Sequence, residues 1–173
     1  MLAALWVPTV VAQANGPAPS EVRTDLPGAR LQGQGRLRFF GLHVYDIRLW
    51  TLAPLRADDA LRTNAALEIE YARPLKGALI AERSLTEMKR VAEISAADGE
   101  RWLTGMKALF PDVQPGDRIT GVHRPGEGVR FHVNGGLIGE LRDASFARLF
   151  FGIWLSPRTS EPQLRNALLG SAP

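Results

Sequence analysis

The stretch from Gly116 to Leu155, GDRITGVHRPGEGVRFHVNGGLIGELRDASFARLFFGIWL, limits what this chain can fold into more than any other part of it. Val129, Phe131 and Val133 alternate with Arg130, His132 and Asn134, the two-residue period of a half-buried strand. Pro125-Gly126-Glu127-Gly128 provides turn chemistry before that strand. Asn134-Gly135 provides it afterwards, because both residues tolerate the positive φ of a tight hairpin. Gly139 weakens a third strand or marks a close approach. Asp143 or Ser145 then caps a helix. On that helix Phe146, Leu149, Phe150, Ile153 and Trp154 recur at helical spacing and make one face wholly apolar. A three-stranded meander delivering such a helix needs a broad apolar surface to receive it. The stretch therefore implies a sheet with helices packed on one face.

The remaining segments extend that plan. Leu31 to Trp50 reads as a strand pair divided near Gly41, with Tyr45, Ile47 and Leu49 on one face and Val44, Asp46, Arg48 and Trp50 on the other. Pro54 to Asn64 is a connection with a possible helical turn at Ala57 to Arg62. Leu67, Ile69 and Tyr71 alternate with Glu68 and Glu70 as a strand. A helix from Ala78 to about Ile94 follows, with Ile80, Met88 and Val91 inward. Ser95 caps a second helix, whose stripe of Trp102, Leu103, Met106, Leu109 and Phe110 ends at Pro111. A last helix, about Glu161 to Leu169, stops at Gly170. The order β-β-β-α-α-β-β-β-α-α is that of an α+β domain with an antiparallel sheet and segregated helices, spanning residues 28–170 without an internal boundary.

The first fourteen residues, MLAALWVPTVVAQA, are uncharged and mostly apolar, and Ala12-Gln13-Ala14 has the small-x-small form of a signal-peptidase site. They read as a secretory signal cleaved after Ala14, with a buried strand or a short anchor as the alternative. No positively charged segment precedes the run, which leaves a start further upstream open. The run is too short, and too interrupted by Pro8, to span a bilayer. Residues 15–27, rich in Pro, Gly, Ala and Ser, read as a flexible mature N-terminus or a first edge strand. The expected location is the periplasm.

Composition excludes several chemistries. The chain has no cysteine, so disulfides, thiolate catalysis and cysteine metal sites are ruled out. Its formal charge of +3 comes from scattered basic residues and implies no nucleic acid partner. No Ser-His-Asp order, phosphate loop, dinucleotide fingerprint or His-x-x-x-His helix is present, and no cofactor is implied. If the Pro125–Gly128 turn pairs Arg124 with Val129, His123 and His132 become diagonal neighbours on one face, a polar strand face with Arg130 or, less favoured, a pair of imidazoles for a metal or haem. Arg36, Arg38, Arg48 and Arg73 sit near aromatic or apolar residues. In an apolar cleft each would grip a carboxylate or phenolate bidentately; on the surface each would lie over apolar side chains. Alternation alone leaves both readings open. Tyr45 and Tyr71 either donate a hydroxyl to a ligand or fill the core.

Three stretches together, GQGRLRFFGLHVYDIRLW (33–50), YARPLKG (71–77) and residues 116–170, resemble the bacterial, exported branch of the chalcone isomerase-like family. The carriers are Gly-x-Gly followed by Val-Tyr-Asp-Ile-x-Leu, the Pro-Gly-x-Gly-Val turn, the Asn-Gly hairpin, and Phe-x-x-x-Phe-x-Ile-Trp-Leu with a terminal Leu-Leu-Gly. The resemblance implies an open-faced β-sandwich, an antiparallel sheet covered by helices, with a cleft between the two layers. It implies kinship with enzymes that close the third ring of flavanones and with relatives that bind fatty acids. Both hold an oxyanion with an arginine on the strand after Gly-x-Gly. At that arginine's position this chain has Leu37, flanked by Arg36 and Arg38; at the enzyme's threonine it has Phe40. A looser alignment puts Ile80 at the catalytic tyrosine and Glu87 at the asparagine.

The expectation is a non-catalytic binder of a small apolar or amphipathic ligand such as a fatty acid, held between sheet and helices. Arg38 would anchor the anion, Tyr71 would donate a hydrogen bond, and Arg36, Tyr45 and Arg73 complete the candidate set. The alternatives are an intramolecular lyase of the chalcone isomerase type and a protein-interaction module of the cell envelope.

Overall fold

The computed structural model describes residues 16–170; the proposed signal sequence lies outside them. Six strands form one antiparallel sheet in chain order: β1 (Arg30–Phe39), β2 (Leu42–Thr51), β3 (Ala65–Tyr71), β4 (Arg118–Arg124), β5 (Gly128–Val133) and β6 (Gly136–Leu141). A short helix, α1 (Ser20–Asp25), precedes β1; α2 (Gly77–Val91) and α3 (Ala96–Leu109) run between β3 and β4, and α4 (Ala144–Leu155) and α5 (Pro162–Leu169) follow β6. Helices α2 to α5 cover one face of the sheet, as expected.

The strands form where side chains alternate. Ile47 faces Ile69 and Leu49 faces Leu67 across β2 and β3, while Gly121 faces Phe131 across β4 and β5. Asn134 and Gly135 take φ of 49° and 89°, so the β5–β6 hairpin closes on the two positive-φ residues read from the sequence. Asp143, not Ser145, caps α4, its side chain accepting from the Phe146 N–H; Ser95 caps α3 in the same way through Asp98. Residues 57–62 form turns rather than helix.

The core lies between sheet and helices. Phe131 is flanked by the rings of Phe110 at 5.1 Å and Phe150 at 5.3 Å, and Phe146 stacks on Phe150 at 5.4 Å. Such edge and offset contacts between aromatic rings stabilise by about 0.5–1.5 kcal/mol beyond burial. α4 and α2 meet at Gly152, where an added Cβ would come within 2.9 Å of Val91. At Gly33 it would come within 2.3 Å of the Ala167 and Leu168 carbonyls, so this glycine lets α5 seat on β1.

Sequence reading missed one helix. Residues expected as a flexible N-terminus or edge strand instead include α1 (Ser20–Asp25), packed on the other face of the sheet. Val22 and Leu26 bury Trp50, Ala66 and Val122 there. Polar groups fix its orientation. Glu21, 2% exposed, accepts from Thr120 Oγ1 at 2.8 Å and from Arg118 at 3.1 Å. Asp25 accepts from Arg130 at 2.9 Å and lies 2.9 Å from His132 Nε2. A six-residue helix has no stability of its own in water, so its propensity signal is weak and these contacts must hold it.

Burial opposes the ionisation of Glu21, but hydrogen bonds from its own backbone, Thr120 and Arg118 prevail and hold its carboxyl below the usual range. A depressed carboxyl pKa contributes stability above the unfolded value near 4.5, and that contribution disappears as pH falls through the folded value. Glu21→Gln should therefore cost about 1–3 kcal/mol at pH 7 in urea unfolding, with the difference from wild type shrinking below pH 4.5.

Candidate functional site

The residues singled out in the sequence divide between the two faces of the sheet. Arg36 and Arg38 both point away from the helices. Arg36 is exposed and donates to Asp46 on β2 at 2.7 Å. Arg38 is exposed and reaches only the Gly41 carbonyl, at 3.3 Å. The register does shift between Leu37 and Arg38, but the unpaired residue is Val44 on β2: Leu37 faces Tyr45 and Arg38 faces His43. The alternation of β1 is thus preserved, and neither arginine enters the space under the helices. Arg73 is exposed in the bend after β3.

Tyr45 and Tyr71 face the helices and come together. They are register partners across β2 and β3, with rings 6.1 Å apart in an edge arrangement. Tyr45 accepts a 2.9 Å hydrogen bond from Trp154 Nε1 at the C-terminal end of α4. Among the described residues its hydroxyl proton makes no hydrogen bond, and the Tyr71 hydroxyl makes none there either. Burial raises the Tyr45 pKa, helped by the carboxylates of Glu161 and Glu87, and burial together with Tyr45 raises that of Tyr71. Both phenols therefore remain neutral hydrogen-bond donors. Leu37, half-buried, completes this corner from β1.

The positions that the family resemblance assigns to catalysis carry other chemistry. Leu37 is apolar, and Phe40 lies at a turn tip, 90% exposed. Ile80 is half-buried on α2. Glu87 is buried beside Arg83 at 2.7 Å and accepts from Ser160 at 2.8 Å. No guanidinium or hydroxyl stands at the places of the enzyme's arginine, threonine and tyrosine.

The middle of the sheet–helix layer is filled by Phe131, Phe146, Phe150 and Phe151, all 5% exposed or less. Two pockets open elsewhere. One, of about 340 Å³, lies between Arg124, Arg130 and Arg142, whose partners include Asp25, Glu127 and Glu140. The other, of about 300 Å³, lies where the end of β4 meets the first turn of α4 and is lined by His123, Arg62, Ser145 and Arg148. Neither reaches Tyr45 or Tyr71.

His123 and His132 do not share a face. The turn pairs Arg124 with Gly128 rather than Val129, so His123 faces Val129 under the helices while His132 turns to Asp25 on the opposite side. A one-residue register change exchanges the faces of a strand, and a shared ion is excluded. His123 is 2% exposed and stacks on Phe151 at 4.8 Å. Burial pushes its pKa down to about 4. Between 6.5 and about 4 the unfolded chain binds a proton that the folded one refuses, so stability falls with pH across that window. His123→Gln should flatten the stability profile there, removing a slope that amounts to roughly 3 kcal/mol in wild type, as read by urea midpoints at successive pH values.

A family profile described as chalcone isomerase-like matches residues 15–170. An uncharacterized protein of Haemophilus influenzae is 30% identical over 128 residues; the match covers 74% of this chain but only 61% of that relative's length. The crystal structure of an Arabidopsis thaliana fatty-acid binding protein superposes with a TM-score of 0.66 at 15% identity, covering 82% of this chain and 87% of that one. At that identity the likeness establishes the fold.

Proposed function

The chain belongs to the chalcone isomerase-like family, and on that premise we propose that it binds a small apolar or amphipathic ligand, such as a fatty acid, without transforming it. The observation that carries this reading is the Tyr45–Tyr71 pair: two neutral phenols, side by side at a corner between sheet and helices, Tyr45 half-buried and Tyr71 buried behind it, with donor capacity unused among the described residues. A ligand head group can accept from both, while Leu37 and the rings themselves provide apolar surface for the rest of it. The Arabidopsis relative, named as a fatty-acid binding protein, supports a ligand of this class on this fold. The replacement of the enzyme's arginine, threonine and tyrosine by Leu37, Phe40 and Ile80 supports binding rather than turnover. Arg36, Arg38 and Arg73 leave the ligand site in this reading, because they lie outside the sheet–helix layer.

Trp154, bonded to Tyr45, serves as the reporter. Titration with decanoate or dodecanoate should change its fluorescence and saturate, and Tyr71→Phe should weaken binding five- to tenfold with little change in stability. No fluorescence change, together with native mass spectra of the purified protein that are free of bound lipid, would rule this reading out.

The proposal extends to export. The apolar run ending in Ala12-Gln13-Ala14 supports secretion and a periplasmic site of action, hence membership of the exported bacterial branch of the family. Periplasmic extracts should yield a chain whose first residue is Asn15. Recovery of the intact segment from the cytosol alone would refute export.

A further inference from the structure

The β1–β2 hairpin ends in a tip that the ligand-binding reading does not use. Phe39, Phe40 and Leu42 are 57%, 90% and 53% exposed, half of the six large hydrophobic side chains most exposed on the described chain. The rings of Phe39 and Phe40 meet edge to face at 4.5 Å, so the tip presents one joined apolar surface. Phe40 holds a φ of 48°, a left-handed conformation that a bulky aromatic residue rarely adopts. Glycine and asparagine adopt this conformation more readily, so Phe40 stands here against local preference.

The surroundings of the tip are cationic. Arg38, immediately before Phe39, has no carboxylate partner among the described residues. Arg73 has none either, and it follows Ala72, whose N–H bonds the Val44 carbonyl just behind the tip. The nearest acid on the hairpin, Asp46, is already engaged by Arg36 at 2.7 Å and His43 at 3.2 Å. The tip is the convex end of a protruding turn. Exposed aromatic groups flanked by guanidiniums without a carboxylate partner match the boundary between acyl chains and anionic head groups.

We propose that the β1–β2 hairpin docks the protein on an anionic lipid surface, with Phe39, Phe40 and Leu42 entering the interface and Arg38 and Arg73 meeting the head groups. The tip lies directly beyond the Leu37–Tyr45 pair, so docking brings the corner that holds Tyr45 and Tyr71 to the membrane. The inference stands on the hairpin itself and holds whether or not the tyrosine corner takes a ligand.

Flotation with vesicles tests it. Wild type should float with phosphatidylcholine vesicles containing 30% phosphatidylglycerol and much less with phosphatidylcholine alone. Phe40→Asn, a residue suited to the left-handed backbone, combined with Leu42→Ser should reduce binding at least tenfold while the thermal midpoint stays unchanged. Arg38→Gln with Arg73→Gln should abolish the preference for the anionic vesicles. Tyr71→Phe should float as wild type does, which separates this test from that of the ligand. Failure to float on anionic vesicles, or equal flotation of the tip variant, overturns the proposal. Capture of an envelope protein through Phe40 in the absence of vesicle binding would assign the tip to a protein partner and overturn it equally.

Discussion

The aromatic contact between α4 and the centre of the sheet is the constraint from which the rest of the architecture follows. Phe146 and Phe150, one turn apart on this helix, both meet Phe131 of β5, and Phe150 also meets Phe110 beyond α3, while Phe151 packs on Phe150 and His123. Rings of this size fill the interior only if the backbones around them come close. Gly152 permits that against α2 and Gly121 lies beneath Phe150, so large side chains on one surface are matched by small ones on the other. The result is a closely packed central layer of buried aromatic rings.

The two faces of the sheet are held by different physics. Under the helices the contacts are apolar and non-directional. On the opposite face Glu68 accepts from Trp50 Nε1 at 2.9 Å and from Arg48 at 3.1 Å, and α1 completes the network through Glu21 and Asp25. Buried carboxylates are tolerated only when their oxygens are satisfied. Here each meets an arginine or a neutral donor supplied by a neighbouring strand, and a helix too short to persist alone acquires a defined seat.

The ends of the sheet are where these regimes meet water. At one end Tyr45, Tyr71 and the C-terminal turn of α4 gather polar hydrogens inside an apolar corner. At the other His123 sits neutral beneath the first turn of α4, excluded from solvent and kept unprotonated by burial. Beside the tyrosine corner runs β1. Here the strand presents Leu37, and its two arginines face outward. The corner beneath the helices therefore presents hydrogen-bond donors and apolar surface rather than a guanidinium.

Much of this architecture was legible in the residues. The period of two in Leu67-Glu68-Ile69-Glu70-Tyr71, the period near 3.6 through Phe146 and Trp154, and the turn chemistry of Asn134-Gly135 each act within a few positions, so ten of the eleven elements could be read along the chain. The pairing of Tyr45 with Tyr71 followed from strands alone only after their register was known. Whether Arg124 opposes Gly128 or Val129 reverses the face of every residue on a strand, which is why His123 and His132 were expected together and are found apart. α1 escaped notice because six residues carry little periodic signal and its partners Arg118, Thr120 and Arg130 lie about a hundred positions away. Local patterning determined which helices and strands exist; the long-range register decided which side chains share a surface, because that choice depends on contacts no short window contains.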